Sequence, residues 1–130
     1  MAVGILLVTH PGVGASLRDV ALRLLGHLPL RVELFEVAFD SDPERLLPEA
    51  SRMLRSLDEG EGVLLMTDLF GASPSNFAAR LGALGIETRR MAGLNLPMLV
   101  RALNYSDLPL GPLADAAVAG ARLGVMRDNG

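Results

Sequence analysis

Two stretches, VGILLVT at residues 3–9 and GVLLMT at residues 62–67, restrict the fold more than anything else in the chain. Both are apolar without alternation. A strand with one solvated face alternates apolar and polar residues, so a continuous apolar run demands cover on both faces, as in a parallel sheet flanked by helices. Between and after these runs the pattern changes period. Leu17, Val20, Ala21, Leu24 and Leu25 recur at helical spacing, with Arg18, Asp19 and Arg23 on the other side. RVELFEVAF at residues 31–39 reads as a strand near a sheet edge. Ser41 or Asp42 caps the next helix with Pro43 at its first position, and Pro48 is expected to bend or interrupt it. Ser73 before Pro74 reads as an N-cap with proline at the first helical position, for a helix running to Leu84 where Gly85 stops it. IETRRMAGL is a weaker strand, LPMLVRAL a short helix, and LADAAVAGARLGVM an alanine-rich helix.

This alternation predicts an α/β fold, a three-layer sandwich with a mostly parallel sheet, right-handed crossovers and helices on both faces. A strand order of 2-1-3-4 is expected. A length of 130 residues fits a single domain, residues 1–130, with enough chain for a core of its own.

Composition removes whole classes of chemistry. With no cysteine, thiolate nucleophiles, disulfides, cysteine-ligated zinc and iron–sulfur clusters are excluded. Every one of the 12 basic residues is arginine, so Schiff-base chemistry and the lysine of a P-loop are excluded as well. A receiver domain would need a lysine and an acidic pair, which do not appear. The net charge of −3 argues against nucleic acid as a partner. The N-terminus lacks the basic segment of a signal peptide, and the longest apolar stretch, residues 108–126, is broken by Pro112, Asp115 and Arg122. A soluble cytoplasmic protein without membrane insertion, metal or cofactor is expected.

In open parallel sheets, ligands bind beyond the carboxyl ends of the strands where the strand order reverses. That rule selects His10 at the tip of the first strand and Asp68 at the tip of the third. Adjacent strands lie ~4.8 Å apart, so the two side chains can meet. A carboxylate on one ring nitrogen fixes the tautomer and frees the other as a nucleophile. Gly71, Ala72 and Ser73, at the start of the helix after the third strand, offer N–H groups and a hydroxyl to an anion. A nucleophilic imidazole beside an anion cradle reads as phosphoryl transfer. Asp68 is expected on an exposed loop, where substitutions cost within ~0.5 kcal/mol. His27 reads as a helix-end or surface residue, and GVG alone is weak as a glycine motif.

The blocks GILLVTHPGVG, GVLLMTDLFGASPSNFAAR and MAGLNLPMLVRAL, with the spacing between them, resemble the IIA component of the mannose family of the bacterial phosphoenolpyruvate:sugar phosphotransferase system. The resemblance covers about residues 1–103. It implies that His10 carries the phosphoryl group, with Asp68 and Ser73 matching the family's aspartate and serine. It also implies a phosphotransferase component that takes the group from the phosphocarrier HPr and passes it to a IIB domain or uses it to signal to a regulated protein. The family commonly pairs as homodimers. A mean hydropathy of +0.36 and the small residues Ala114, Ala116, Ala117, Val118 and Ala121 also lead us to expect a homodimer. The chain departs from many relatives in having Pro11 after the histidine, a difference in the donor-docking loop. A chain ending at Gly130 without a IIB domain fits a stand-alone IIA protein in sugar transport or regulation. Alternatives are the phosphotransfer subunit of a dihydroxyacetone kinase system, or a regulatory binding module without onward transfer.

Overall fold

A computed structural model describes residues 2–129. Its strands are β1 (Gly4–Thr9), β2 (Val32–Glu36), β3 (Val63–Thr67) and β4 (Thr88–Met91). The helices are α1 (Val13–Leu25), α2 (Pro43–Leu57), α3 (Ser73–Leu81), α4 (Leu96–Asn104) and α5 (Leu110–Leu123). All strand pairs are parallel and the order is β2-β1-β3-β4.

The two unbroken apolar runs are the two central strands, and the pleat divides each between two cores. Ile5, Leu7, Leu64 and Met66 join residues of α1, α4 and α5 on one face. Leu6, Val8, Val63 and Leu65 join residues of α2 and α3 on the other. Successive side chains point to opposite faces, so each run is covered on both, and the one polar residue in each, Thr9 and Thr67, is buried with its hydroxyl hydrogen-bonded to a backbone carbonyl.

Local ends differ from the sequence reading for physical reasons. Pro48 lies inside α2 without ending it. Asp42 is the cap of that helix, accepting from the Glu44 N–H at 3.0 Å. Helix α3 stops at Leu81, earlier than Leu84, because the chain tightens into i→i+3 turns there, the Ala83 N–H donating to the Arg80 carbonyl at 3.2 Å and the Leu84 N–H to the Leu81 carbonyl at 3.2 Å. Strand β2 ends at Glu36, short of Phe39. Helix α5 starts at Leu110, before the alanines begin. Those alanines are largely used within the chain, since Ala114, Ala117 and Ala121 belong to the same buried cluster as Leu99, Ala102 and Leu103 of α4. They therefore do not form a free stripe for a second subunit.

Candidate functional site

Strands β1 and β3 are neighbours, with Val8 opposite Thr67. Continuing that register sets Asp68 beside Thr9 and diagonal to His10, both just beyond the carboxyl ends of their strands. Asp68 Oδ2 accepts the backbone N–H of His10 at 3.0 Å and lies 2.8 Å from its Nδ1. An ionised carboxylate only accepts, so Nδ1 carries the ring proton and Nε2 holds the free lone pair. The two side chains are 21% and 13% exposed, which leaves the ring accessible and shields most of the carboxylate. Asp68 Oδ1 is buried and has no hydrogen-bond partner among the described residues. Asp68 is thus an anchor of the crevice rather than an exposed loop residue, contrary to the sequence expectation.

The loop from β1 to α1 is short, and each glycine of GVG has a separate cause. Gly12 caps α1 at φ 86°, in the left-handed region that glycine enters without steric cost, and its N–H donates to Glu36 Oε2 at 2.8 Å. Gly14 is a matter of space: a Cβ would stand 3.1 Å from Thr9 Oγ1 and 3.3 Å from Leu7 Cβ. Beyond β2, Phe39 packs its ring 5.1 Å, centroid to centroid, from that of His10 while remaining 83% exposed. Leu69 and Phe70, next to Asp68, are also exposed.

Gly71, at φ 86°, turns the chain into α3. The structure corrects the reading of Ser73 as N-cap. Ala72 holds that position without a side-chain cap bond, Ser73 is the first helical residue and Pro74 the second. Proline at the second position is tolerated because N–H groups of a helix's first turn have no intrahelical partner. The Ala72 N–H is committed to the Leu69 carbonyl at 3.3 Å, leaving Gly71 and Ser73 as the donors of the expected cradle. His27 follows the left-handed Gly26 cap of α1, with Nδ1 3.4 Å from the Leu25 carbonyl. It sits at the end of a 13-residue helix that is about 20 Å long, remote from His10. Sequence reasoning missed Phe39, which looked like the last residue of an alternating strand. The Phe-Asp-Ser-Asp run, where polar residues abruptly follow, was the available sign that the strand had already ended.

Strand tips carrying a paired imidazole and carboxylate, next to a helix N-terminus, define a class of α/β domain suited to binding or carrying an anionic group. The chain belongs to the EIIA-man family, described as the PTS system fructose IIA component, whose model matches residues 4–117. It is 32% identical over 107 residues, 82% of its length, to the mannose-specific EIIAB component of Escherichia coli K12. The chain spans 33% of that relative. It is 29% identical over 113 residues, 83% of its length, to the transcriptional regulatory protein LevR of Bacillus subtilis, of which it covers 12%. Its fold matches the mannose/sorbose-specific IIA subunit of Enterococcus faecalis with a TM-score of 0.86 at 19% identity, covering 99% of this chain and 96% of that one. No helix among the described residues is long and apolar enough to cross a membrane.

Proposed function

We propose that this domain accepts a phosphoryl group on Nε2 of His10 from phospho-HPr and passes it to a IIB partner. The observation that carries the reading is the 2.8 Å contact between His10 Nδ1 and Asp68 Oδ2, which holds the ring with its other nitrogen free. In the transfer, the bond from phosphorus to the donor breaks as the Nε2–phosphorus bond forms. The donor keeps the electron pair of the broken bond. The proton on Nδ1 stays in place, so the phosphorylated ring becomes cationic and the Asp68 carboxylate stabilises it. Gly71 and Ser73 face the phosphoryl oxygens from the N-terminus of α3, where an anion gains ~0.3–2 kcal/mol. The exposed side chains of Phe39, Leu69 and Phe70 supply an apolar rim on which a partner excludes water. Family membership supports both the donor and the acceptor, and the domain works as one of two subunits in a homodimer.

A second reading, in which phosphorylation of His10 signals rather than feeds a sugar, is favoured by the similarity to the regulator LevR. Incubation with phosphoenolpyruvate, enzyme I and HPr tests the shared step. An acid-labile, base-stable adduct is expected on the wild type and on His27→Ala, and none on His10→Ala. Labelling of His27 in its place refutes the assignment. Transfer onward to a IIB domain then separates the two readings.

A further inference from the structure

We propose that Thr9 is a positioning residue for His10, acting through the backbone carbonyl of the histidine. The proposal rests on the reading of His10 as the phosphoryl acceptor. Thr9 is fully buried, and its hydroxyl makes two bonds that use both its roles. Oγ1 donates to the His10 carbonyl at 2.8 Å and accepts the Gly14 N–H at 3.0 Å. The same His10 carbonyl also receives the Val13 N–H at 3.3 Å. Thr9's own carbonyl accepts the Val37 N–H at 2.8 Å.

These bonds leave His10 little freedom. Its N–H is held by Asp68 and its carbonyl by Thr9 and Val13, so the direction in which the side chain leaves the strand is set from both ends of the residue. A free strand tip would let the peptide after His10 rotate and swing the ring off Asp68. Gly14 belongs to the same device, because a Cβ at that position would crowd Thr9 Oγ1. The glycine lets the first turn of α1 approach closely enough for its N–H to reach the hydroxyl. A bulky residue there would push the helix out and free the threonine.

The structure supplies its own comparison. Thr67, also fully buried, precedes Asp68 as Thr9 precedes His10, yet its Oγ1 donates to the Met91 carbonyl at 2.9 Å. That bond ties β3 to β4 and does not touch the backbone of Asp68 or His10. If the role of a strand-end threonine were only to fill the core, the two would be equivalent.

The test reads the imidazole itself in the unphosphorylated, full-length protein. In Thr9→Val, which keeps the shape and removes the hydroxyl, the ring nitrogen-15 shifts should move towards the average of the two tautomers. The Nδ1 proton should exchange with solvent at least tenfold faster. The turnover number for phosphoryl acceptance should fall at least tenfold, with KM for phospho-HPr within twofold of wild type. Thr9→Ser should restore all three readouts, and Thr67→Val should leave the ring spectrum unchanged while lowering the unfolding midpoint. Should Thr9→Val fail to fold, Thr9→Ala against Thr9→Ser gives the same comparison. A wild-type ring spectrum in the hydroxyl-less variant overturns the proposal. So does an equal spectral change in Thr67→Val, or failure of serine to restore the ring. Because the spectrum is read without phosphate, a domain that accepts no phosphoryl group would sink the proposed function while leaving this positioning result legible.

Discussion

Asp68→Asn is the substitution that most directly weighs the crevice. Oδ2 accepts two bonds, from the His10 N–H at 3.0 Å and from Nδ1 at 2.8 Å. Hydrogen bonds to charged groups contribute ~1.5–3 kcal/mol against ~0.5–1.5 for neutral ones, so neutralising the acceptor weakens each by about 1 kcal/mol. The amide has two orientations, and neither is comfortable. With its oxygen towards His10, its NH2 takes the place of Oδ1, which is buried without a partner among the described residues, leaving donors unsatisfied at ~1–3 kcal/mol. With its NH2 towards His10, it faces two donors and drives the ring to the Nε2–H tautomer, which has no free pair for phosphorus. The folded state should lose about 3–5 kcal/mol, read by urea unfolding, from the two weakened bonds and the unsatisfied donors together. The rate should fall further than stability alone suggests. Unit charges ~4 Å apart at an effective permittivity of ~20 attract by about 4 kcal/mol. A transition state with about half the ring charge developed then loses about 2 kcal/mol, roughly thirtyfold in rate. Quenched-flow transfer from saturating labelled phospho-HPr measures it. A folded Asp68→Asn protein that transfers within twofold of wild type refutes the electrostatic role and reduces Asp68 to an anchor of the loop.

Phe39→Ala removes an 83% exposed ring, so stability should stay within ~0.5 kcal/mol while KM for phospho-HPr rises several-fold in steady-state transfer assays. Gly62→Ala should be severely destabilising, by 3 kcal/mol or more on the order of the largest point effects, and denaturant titration should show it. Its Cβ would stand 2.7 Å from Leu110 Cδ2 and 2.8 Å from the Glu87 carbonyl oxygen at φ 87°. Sedimentation equilibrium should give twice the chain mass, and a concentration-independent monomer would contradict the homodimer.

The layers of the fold were legible in the sequence because burial on both faces leaves no alternative reading of VGILLVT and GVLLMT. The pairing of His10 with Asp68 was legible for a related reason. Once the first and third strands are neighbours, the residues after them are brought together by strand spacing alone. What stayed hidden depends on distances between elements. Ser73 looked like a cap because Ser-Pro is a common start, yet Gly71 at φ 86° turns the chain so that α3 begins one residue earlier and Ala72 takes the cap. Asp68 looked exposed because its neighbours Leu69 and Phe70 sit on a loop, while its own side chain turns back to His10. Pro48 looked like a break because proline removes one helical bond, but Ala50, Leu54 and Leu57 of the same helix are buried against the sheet, and tertiary packing outweighs the missing bond. The alanines of α5 looked like an interface because small residues permit close approach, and α4 supplies the partner.

The parts of the site that hold the imidazole and the parts that would meet a partner are built differently, and this bears on how one domain could serve transport or regulation. Thr9 ends a strand buried on both faces, and His10 and Asp68 stand just beyond the ends of two such strands, so the sheet fixes where their side chains leave the backbone. Phe39, Leu69 and Phe70 are exposed and lie on loops, where substitution costs little stability. On the proposed function, partner choice would then vary without altering the chemistry held beneath it. The arrangement predicts an asymmetry: exchanging the rim residues should redirect the domain between acceptors while preserving the nitrogen-15 ring spectrum that reports the His10 tautomer, with only proton shifts moving where the Phe39 ring, 5.1 Å away, is lost. Exchanging Thr9 or Asp68 should change that spectrum with every acceptor alike. A rim exchange that shifted the ring spectrum as strongly as Asp68→Asn would show that docking surface and His10 are one unit rather than two separable parts.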